Sequence, residues 1–417
     1  MADSAGRQNG RARLARDNQQ WVLDYLIKET GKTFHFEGDA RGNLPRSVKS
    51  HAMISKHLGL AARKLEALAK VEAEAGHRET AVDLYYKAAM DYSRAQHVVF
   101  QLNDEKRYLH AGALRCYGQV RALAPYKIEH VDIPWNGTLV SGYLHLCPDK
   151  DQAPLIFHIP GCDNTKENWP HPLFNFAHQR GMHLFCFDGP GQGESNMRGI
   201  KLTSNNYEQA ASAALDYLLQ RPEVEDGQVA LYGLSFGSFW GLRFASYDHR
   251  LKAVVTPAAS YVDKHFLMNV ETPRWKQLFA FLTQAQSEAE LDAVTSEMTM
   301  DGYMGKISCP TLLMAGEYDP RSPLEEIYRM FDQLTAPAEL WVFADQFHGP
   351  QIGGGEAATA WSAPLHAVVM DWLRDRLQRK PVAWPGQVVY VEPGSSGPNN
   401  PKAALKRRWY EDVKREV

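Results

Sequence analysis

The feature that most constrains the fold is a series of short, nearly continuous apolar runs, several of which end in a turn of glycine or proline. The runs occupy residues 153–161, 181–191, 228–235, 251–259, 309–319 and 338–345. Strands of a parallel sheet are covered on both faces and therefore have this pattern. Segments with helical periodicity separate several of the runs, at residues 206–221, 322–334 and 365–378. The alternation predicts a doubly wound α/β fold with a mostly parallel sheet.

The N-terminal part of the chain has a different pattern. Between residues 19 and 123, apolar side chains recur at intervals of three and four with charged residues between them, which predicts amphipathic helices. We interpret these helices as a cap packed on the domain that follows, and a helical-repeat adaptor is the alternative. Beyond Pro125 the pattern alternates, and Asn136-Gly137 between two alternating segments predicts a two-residue hairpin.

These patterns divide the chain into four parts. We expect a disordered N-terminus, a helical cap domain, an α/β domain and a C-terminal tail, at residues 1–20, 21–124, 125–380 and 381–417. The interval before the run at 309–319 is too long for an unstructured loop in a compact domain, so we expect a helical insertion at about 258–306. The tail contains a stretch rich in glycine, serine and proline, which is typical of a flexible linker.

Composition argues against several classes of partner. The 417 residues carry a formal net charge of −3, so no basic field exists to hold a nucleic acid backbone. The five cysteines are scattered without a Cys-x-x-Cys pair, which argues against a disulfide framework and a zinc site. No apolar run approaches the roughly 18 residues that span a bilayer, and the N-terminus lacks the apolar segment of a secretory signal. We therefore expect a cytoplasmic protein without metal, cofactor, nucleic acid or membrane partner.

A candidate nucleophile lies at the end of the run at 228–235. The sequence Gly233-Leu234-Ser235-Phe236-Gly237 follows a predicted strand and precedes a predicted helix. A strand, Gly-x-Ser-x-Gly and a helix in that order form the nucleophile elbow, a sharp turn that exposes the serine hydroxyl. A serine in an ordinary glycine-rich bend is the alternative, because small residues cluster in turns for many reasons.

Ser235 requires a base and a carboxylate, and both types of residue follow it at the ends of predicted strands. Asp319 closes the run at 309–319, and His348 follows the run at 338–345. The chain order Ser, Asp, His is the order of α/β hydrolases. Ser235 would attack a carbonyl carbon, His348 would transfer the proton, and Asp319 would fix the imidazole tautomer.

Three other residues compete for these roles. Glu317 and Asp345 are nearby carboxylates, but Glu317 is still on the predicted strand and Asp345 is very close to the histidine in sequence. His366 lies within a helical pattern, where a core or surface role is expected.

The oxyanion hole of this fold needs two backbone amides. Phe236 follows the nucleophile and supplies one, and the loop after the run at 153–161 supplies the other, for which we select Cys162. A Cys162 thiol acting as nucleophile is the competing interpretation, although no histidine is spaced to serve it. The stretch 187–195 resembles a phosphate loop but lacks its Gly-Lys-Ser/Thr, so we interpret it as a tight turn near the active site.

Five motifs together resemble one branch of the α/β hydrolases: PGCDNTKENW, FDGPGQGES, YGLSFGS, GEYDP and DQFHG. This branch includes the 2,6-dihydroxypseudooxynicotine hydrolase type, fungal polyketide-shortening hydrolases of pigment pathways and fermentation-respiration-switch esterase-like proteins. The resemblance implies a helical N-terminal cap over the active site. It also implies hydrolysis of esters, of polyketide acyl chains or of a carbon–carbon bond next to a ketone. The chain departs from the branch at Pro160-Gly161, where Gly-Gly is common, and at Cys162.

The insertion supplies candidate substrate contacts. The resemblance extends to the Glu-Thr-Pro of Val270–Pro273, which implies that Glu271 contributes an acidic group; a turn residue before a helix is the alternative. Aromatic side chains that could line an apolar pocket, or equally pack the cap, are Phe266, Trp275, Phe279 and Phe281.

The function expected from the sequence is a serine hydrolase that forms an acyl-enzyme and cleaves a carbon–carbon or ester bond of a polyketide-like or aromatic ketone substrate. An esterase, lactonase or acyltransferase with the same three residues is the alternative. A hydrolase fold retained as a scaffold is a third. The expected partner is a small-molecule substrate, and a homodimer is possible.

Overall fold

The computed structural model describes residues 53–257, 268, 273–319, 321–344, 346, 348 and 363–391. Its helices are α1 (Ile54–Glu74), α2 (Arg78–His97), α3 (Asp104–Leu123), α4 (Gly193–Met197), α5 (Asn206–Leu219), α6 (Phe236–Tyr247), α7 (Pro273–Thr283), α8 (Glu288–Thr295), α9 (Leu324–Phe331) and α10 (Ala363–Leu377). Its strands are β1 (Ile128–Trp135), β2 (Thr138–His145), β3 (Ala153–Ile159), β4 (His183–Asp188), β5 (Val224–Gly233), β6 (Val254–Pro257), β7 (Thr311–Gly316), β8 (Ala338–Phe343) and β9 (Gln387–Val391).

The nine described strands form one sheet in the order β1-β2-β4-β3-β5-β6-β7-β8-β9. The pairs β1–β2 and β2–β4 are antiparallel, and every pair from β4–β3 to β8–β9 is parallel. Strands that the sequence shows as unbroken apolar runs are buried along their whole length, as β4, β7 and β8 are. The predicted fold class, a mostly parallel α/β sheet, is therefore confirmed.

Helices cover both faces of the sheet. Side chains alternate across a strand, so Phe157 and His158 of β3 point to opposite faces. One face packs against α5 and α6 in the larger apolar cluster, and the other packs against α10 in a second cluster. The carboxyl ends of the parallel strands therefore form one open edge between two helical layers, which is where ligands bind in sheets of this kind.

The predicted hairpin joins β1 to β2. Trp135 pairs with Thr138, and the two residues between them, Asn136 and Gly137, both have positive φ, at 47° and 75°. A type I′ turn needs positive φ at both central positions, which explains why Asn-Gly occurs here. The hairpin prediction is confirmed.

Helices α1 to α3, which we call the cap after the sequence prediction, share an apolar cluster that also includes residues from β1 and β2. Tyr117 of α3 stacks on Tyr143 of β2 with ring centroids 4.6 Å apart. The Tyr86 hydroxyl donates to the carbonyl of Asn168, in the loop after β3, at 2.7 Å. The cap is therefore bonded to a loop that begins at the edge of the sheet.

Two features lie near the predicted boundaries. Helices α7 and α8 occupy the long interval between β6 and β7, where the sequence predicts a helical insertion. The predicted end of the sheet domain is residue 380, but β9 follows that point and pairs with β8. Gln387–Val391 is short and adjoins a stretch rich in proline and glycine, so its alternation was too brief to predict a strand.

Candidate active site

Ser235 occupies the turn between β5 and α6. Its φ of 55° and ψ of −124° lie in a region that residues with side chains rarely adopt. Such a conformation costs about 1–3 kcal/mol and persists only where neighbouring bonds enforce it. Here the Leu234 amide donates to the carbonyl of Ile159 at 3.0 Å, and the Ser235 amide donates to that of Pro257 at 3.3 Å. The ends of β3 and β6 thus hold the turn from both sides.

The two glycines of the motif are required by close backbone contacts. A β-carbon at position 233 would lie 2.4 Å from the carbonyl oxygen of Gly237. A β-carbon at position 237 would lie 2.3 Å from the carbonyl oxygen of Ile159. Both distances are far below van der Waals contact, and both involve backbone atoms that cannot rotate away. The ordinary glycine-rich bend would not need glycine at both positions.

Ser235, His348 and Asp319 form a hydrogen-bonded series. Ser235 Oγ lies 2.8 Å from His348 Nε2, and His348 Nδ1 lies 2.8 Å from Asp319 Oδ2. A carboxylate accepts only, so Nδ1 carries the proton and Nε2 is left to accept from the serine hydroxyl. The structure therefore brings together the three residues that the sequence selected, in the orientation that proton transfer from Ser235 requires.

Asp319 is held as a carboxylate. Its side chain has no exposed surface, and one oxygen accepts from the Arg321 amide at 2.9 Å. Burial raises the pKa of Asp319, but the His348 imidazole and the Arg321 amide outweigh it, so the pKa lies below its usual value. A buried carboxylate that stays ionised stabilises an imidazolium at its partner.

The competing residues have other positions. Glu317 lies directly after β7, and the carboxylate that bonds His348 is that of Asp319. Asp345 lies outside the described residues. His366 is buried in α10, where its Nδ1 lies 2.8 Å from the Tyr232 hydroxyl on the face of the sheet that α10 covers.

The predicted oxyanion residues lie on either side of Ser235. Phe236 is the first residue of α6, in the turn where amides have no acceptor within the helix. Cys162 is buried in the loop after β3, where the Asn164 amide donates to the Gly161 carbonyl at 3.0 Å. A β-carbon at position 161 would lie 3.2 Å from that of Ser235, so this loop passes directly beside the serine.

Sequence reasoning missed a glutamine that holds this loop. Gln192 Nε2 donates to the carbonyls of Gly161 and Asn164, at 2.9 and 3.1 Å. The Tyr207 hydroxyl in turn donates to Gln192 Oε1 at 2.6 Å. Gln192 lies within the motif FDGPGQGES, residues 187–195, and that motif is the signal that could have found it. From sequence alone the motif predicts only a tight turn near the active site.

A buried ion cluster fixes the other end of the loop. The Lys166 ammonium has no exposed surface and lies within 3.0 Å of carboxylate oxygens of Glu167, Asp188 and Glu194. Burial alone would lower the pKa of Lys166, but the carboxylates raise it well above its usual value. The Lys166 amide also donates to Asp188 Oδ1 at 2.7 Å, which ties the loop to the end of β4. In the sequence these four residues stand out only as members of the motifs PGCDNTKENW and FDGPGQGES.

Aromatic residues of the insertion pack against the residue after the nucleophile. Phe279 and Trp275 of α7 lie with ring centroids 4.7 and 6.4 Å from that of Phe236. Trp275 is buried, and its indole nitrogen has no hydrogen-bond partner among the described residues. The other predicted substrate contacts, Glu271 and Phe266, lie outside the described residues.

The described part of the chain lacks two kinds of feature. It contains no cluster of three or more histidine, cysteine, aspartate or glutamate side chains arranged to hold a metal ion. Within the same ranges, none of the helices combines the length and apolar character needed to cross a bilayer.

The chain is similar to known hydrolases over much of its length. The family model described as "Esterase FrsA-like" matches residues 64–337. The 2,6-dihydropseudooxynicotine hydrolase of Paenarthrobacter nicotinovorans is 27% identical over 261 residues, which cover 62% of this chain and 69% of that protein. The 20-hydroxy-prefusarin hydrolase of Gibberella moniliformis is 24% identical over 363 residues, covering 75% and 85% respectively.

Solved structures show the same fold. The crystal structure of 2,6-dihydroxy-pseudo-oxynicotine hydrolase aligns with a TM-score of 0.69 at 22% identity, over 82% of this chain and 93% of that one. The protein AbyA5 aligns with a TM-score of 0.56 at 17% identity, over 75% and 92%. The resemblance that the five motifs predicted is confirmed by these matches.

Proposed function

Because the chain belongs to the FrsA-like esterase family of α/β hydrolases, we propose that it is a serine hydrolase in which Ser235 attacks a carbonyl carbon and carries the acyl group. The observation that carries this proposal is the hydrogen-bonded series from Ser235 Oγ through the His348 ring to Asp319, with 2.8 Å at each step. A serine hydroxyl is a weak nucleophile until an adjacent base accepts its proton, and this series supplies the base.

Acylation follows from the direction of these bonds. As Ser235 Oγ bonds to the carbonyl carbon, its proton passes to His348 Nε2, and the buried Asp319 carboxylate stabilises the imidazolium. The amides of Phe236 and Cys162 donate to the oxyanion that develops on the carbonyl oxygen. When the tetrahedral intermediate collapses, Nε2 returns the proton to the leaving group.

Deacylation repeats the sequence with water. His348 Nε2 accepts a proton from a water molecule as that water attacks the acyl carbon, and the proton then passes to Ser235 Oγ as the ester bond breaks. The acid product and free Ser235 result, so all atoms are accounted for without a metal or cofactor.

The substrate class we propose is a polyketide-like or aromatic ketone, cleaved at a carbon–carbon or ester bond. The names of two relatives, the 2,6-dihydropseudooxynicotine hydrolase and the 20-hydroxy-prefusarin hydrolase, support this class. Carbon–carbon cleavage needs a leaving carbanion that is stabilised or protonated as it departs. We propose Glu271, the second acidic group that the family resemblance implies, as the candidate acid for that step.

Replacement of the nucleophile tests the proposal. Ser235→Ala removes the attacking oxygen, so labelling by a fluorophosphonate and turnover of aryl esters should fall at least about 10³-fold, since acyl transfer loses its covalent step. Ser246→Ala is the matched control, because Ser246 is a buried serine on α6, the helix that follows Ser235, and its hydroxyl donates to the carbonyl of Arg243. Equal labelling of wild type and Ser235→Ala, with both folded by circular dichroism, would refute the assignment.

The alternative is an acyltransferase or cyclising enzyme that uses the same residues. Reaction in ¹⁸O-labelled water separates the two, because hydrolysis places the label in the acid product and transfer to an amine or alcohol does not. Mass spectrometry of the product reads the outcome directly.

A further inference from the structure

One face of helix α2 carries three side chains that contact the loop after β3. Asp83, Tyr86 and Met90 are spaced by three and four residues, which places them on the same side of the helix. His171 Nε2 lies 3.1 Å from Asp83 Oδ1, and the Asn168 side-chain amide donates to Met90 Sδ at 3.5 Å. Between these contacts, the Tyr86 hydroxyl donates to the Asn168 carbonyl at 2.7 Å. The cap therefore holds this loop at three points along one helix.

The Tyr86 hydroxyl is not needed to fill space. The residue is 9% exposed, and its ring already packs edge-on against His171 with centroids 4.6 Å apart. A phenylalanine would pack in the same way, and a buried hydroxyl is unfavourable unless it forms a hydrogen bond. Burial raises the pKa of Tyr86 above its usual value, so the hydroxyl keeps its proton and remains a donor. Its bond to the loop is the feature that packing leaves unexplained.

Asn168 connects this bond to the rest of the loop. Its Oδ1 accepts from the Thr165 amide at 2.7 Å, and its own backbone amide donates to the Thr165 carbonyl at 3.0 Å. The turn before it is closed in a similar way, because the Asn164 amide donates to the Gly161 carbonyl at 3.0 Å. Residues 161–168 are thus two consecutive hydrogen-bonded turns, so a displacement of the second turn also moves the first.

The two turns contact different parts of the molecule. The second turn meets the cap at Asn168. The first turn passes beside the nucleophile, since a β-carbon at position 161 would lie 3.2 Å from that of Ser235. The amide of Cys162, which we propose for the oxyanion, belongs to this first turn. The loop after β3 therefore connects the cap to the reacting centre.

Anchors on the sheet side do not remove this connection. Gln192 donates to two carbonyls of the first turn, and Asp188 accepts from the Lys166 amide. Both anchors come from the end of β4 and the turn after it, and a loop held from one layer alone can pivot about that layer. The placement of a catalytic group is exacting, since a shift of about 1 Å can cost about 10²-fold in rate.

We infer that Tyr86 is a positioning residue for the reaction, and that the reactivity of Ser235 depends on the contact between the cap and the loop after β3. The inference rests on the proposed function, because it requires that an amide of this loop stabilises the oxyanion. Tyr86 acts through Asn168 and the two turns and does not act on the reacting atoms. Acylation and deacylation both pass through an oxyanion, so a misplaced loop slows both steps and leaves substrate binding unchanged.

Tyr86→Phe tests the inference by removing one oxygen atom. In the full-length protein we expect kcat for aryl esters, and the rate of fluorophosphonate labelling, to fall about 3- to 10-fold, which corresponds to the loss of one hydrogen bond. KM should change by less than about twofold, because the interaction acts in the transition state. Tyr85→Phe is the matched control and should react at the wild-type rate, because Tyr85 is similarly buried on α2 but lines a groove with side chains of α1 and α3.

A double variant tests the path through the loop. Asn168→Ala removes the acceptor for the Thr165 amide, so it should slow labelling by itself, and adding Tyr86→Phe should slow labelling by less than about a further twofold. Unfolding in urea verifies that the compared proteins are folded at the assay temperature. Wild-type kcat in folded Tyr86→Phe, a raised KM with unchanged kcat, or full additivity with Asn168→Ala would each overturn the inference. Failure of the proposed function is distinguishable, since the wild-type enzyme would then itself resist fluorophosphonate.

Discussion

The backbone at Ser235 is held in its unusual conformation by neighbours that tolerate no additional atom. Position 237 is the sharper case, since a β-carbon there would meet the Ile159 carbonyl, which itself accepts from the Leu234 amide. Gly237 therefore supports the conformation of Ser235 through Ile159, a residue of β3.

Gly237→Ala should consequently damage both stability and reactivity. We expect the free energy of unfolding to fall by about 3 kcal/mol, as for overpacked sites, and the rate of fluorophosphonate labelling to fall with it. Gly118→Ala is the control, because a β-carbon there meets nothing within 4 Å and lies in the middle of α3. That substitution should raise stability by up to about 1 kcal/mol, since alanine favours helix. Unfolding curves in urea measure both effects, and an unperturbed Gly237→Ala would contradict the steric argument.

At the scale of elements, the turn between β4 and α4 acts through one side chain on the loop after β3, residues 160–165, which we propose carries an oxyanion amide. Gln192 bonds two carbonyls of that loop and is itself oriented by Tyr207 of α5. Tyr207 stacks on Trp240 of α6 at 4.3 Å, so the arrangement is fixed by the helices on one face of the sheet.

Gln192→Met tests this role with little change in side-chain volume. It removes two donors to the loop and leaves the Tyr207 hydroxyl without its acceptor, so the free energy of unfolding should fall by about 1–3 kcal/mol. The labelling rate of Ser235 should fall about 10- to 100-fold, since the oxyanion amides lose their alignment. Gln220→Met, at the exposed end of α5, is the matched control. A Gln192→Met protein that is destabilised but labelled at the wild-type rate would limit Gln192 to a structural role.

What the sequence predicted at this scale depended on local signals. The Gly-x-Ser-x-Gly turn, the Asn-Gly hairpin and the apolar strands each have a pattern within a few residues. The bonds from Gln192 to the loop after β3, and those from Lys166 to Asp188 and Glu194, join residues more than 20 positions apart. Polar side chains have no periodicity that reports such pairing. Strand β9 was missed because five residues at a sheet edge are too few to show alternation.

Across the whole molecule, buried histidines connect stability to pH. His110 in the cap, His158 in β3 and His178 near β4 have pKa values lowered by burial to about 4, 3 and 4. In the unfolded chain each would titrate near 6.5. Below that pH the unfolded chain takes up protons that the folded protein does not, so stability falls as pH falls.

We expect the urea concentration at the midpoint of unfolding to decrease steeply as the pH falls from about 6.5 to 4. At about pH 4 each of these histidines lowers the free energy of unfolding by about 3 kcal/mol. Asp188 acts in the opposite direction, because burial raises its pKa to about 6 and it gains a proton in the folded protein over the same range. The slope of the free energy of unfolding against pH counts the protons taken up on unfolding, and His110→Met should reduce that number by about one. His249→Met, at an exposed site, is the control. An unchanged slope in His110→Met would exclude that histidine from the effect.

Strand β9 has a consequence for how the chain is made. Strand β8 is buried along its length, and in the described part of the chain its outer edge pairs with residues 387–391, which a ribosome adds well after β8. During that interval β8 has open backbone donors and acceptors, and edges of this kind recruit strands from other molecules. The open edge of β8 therefore persists in the nascent chain until residues 387–391 have left the ribosome and paired with it, so crowding of nascent chains favours aggregation in that interval.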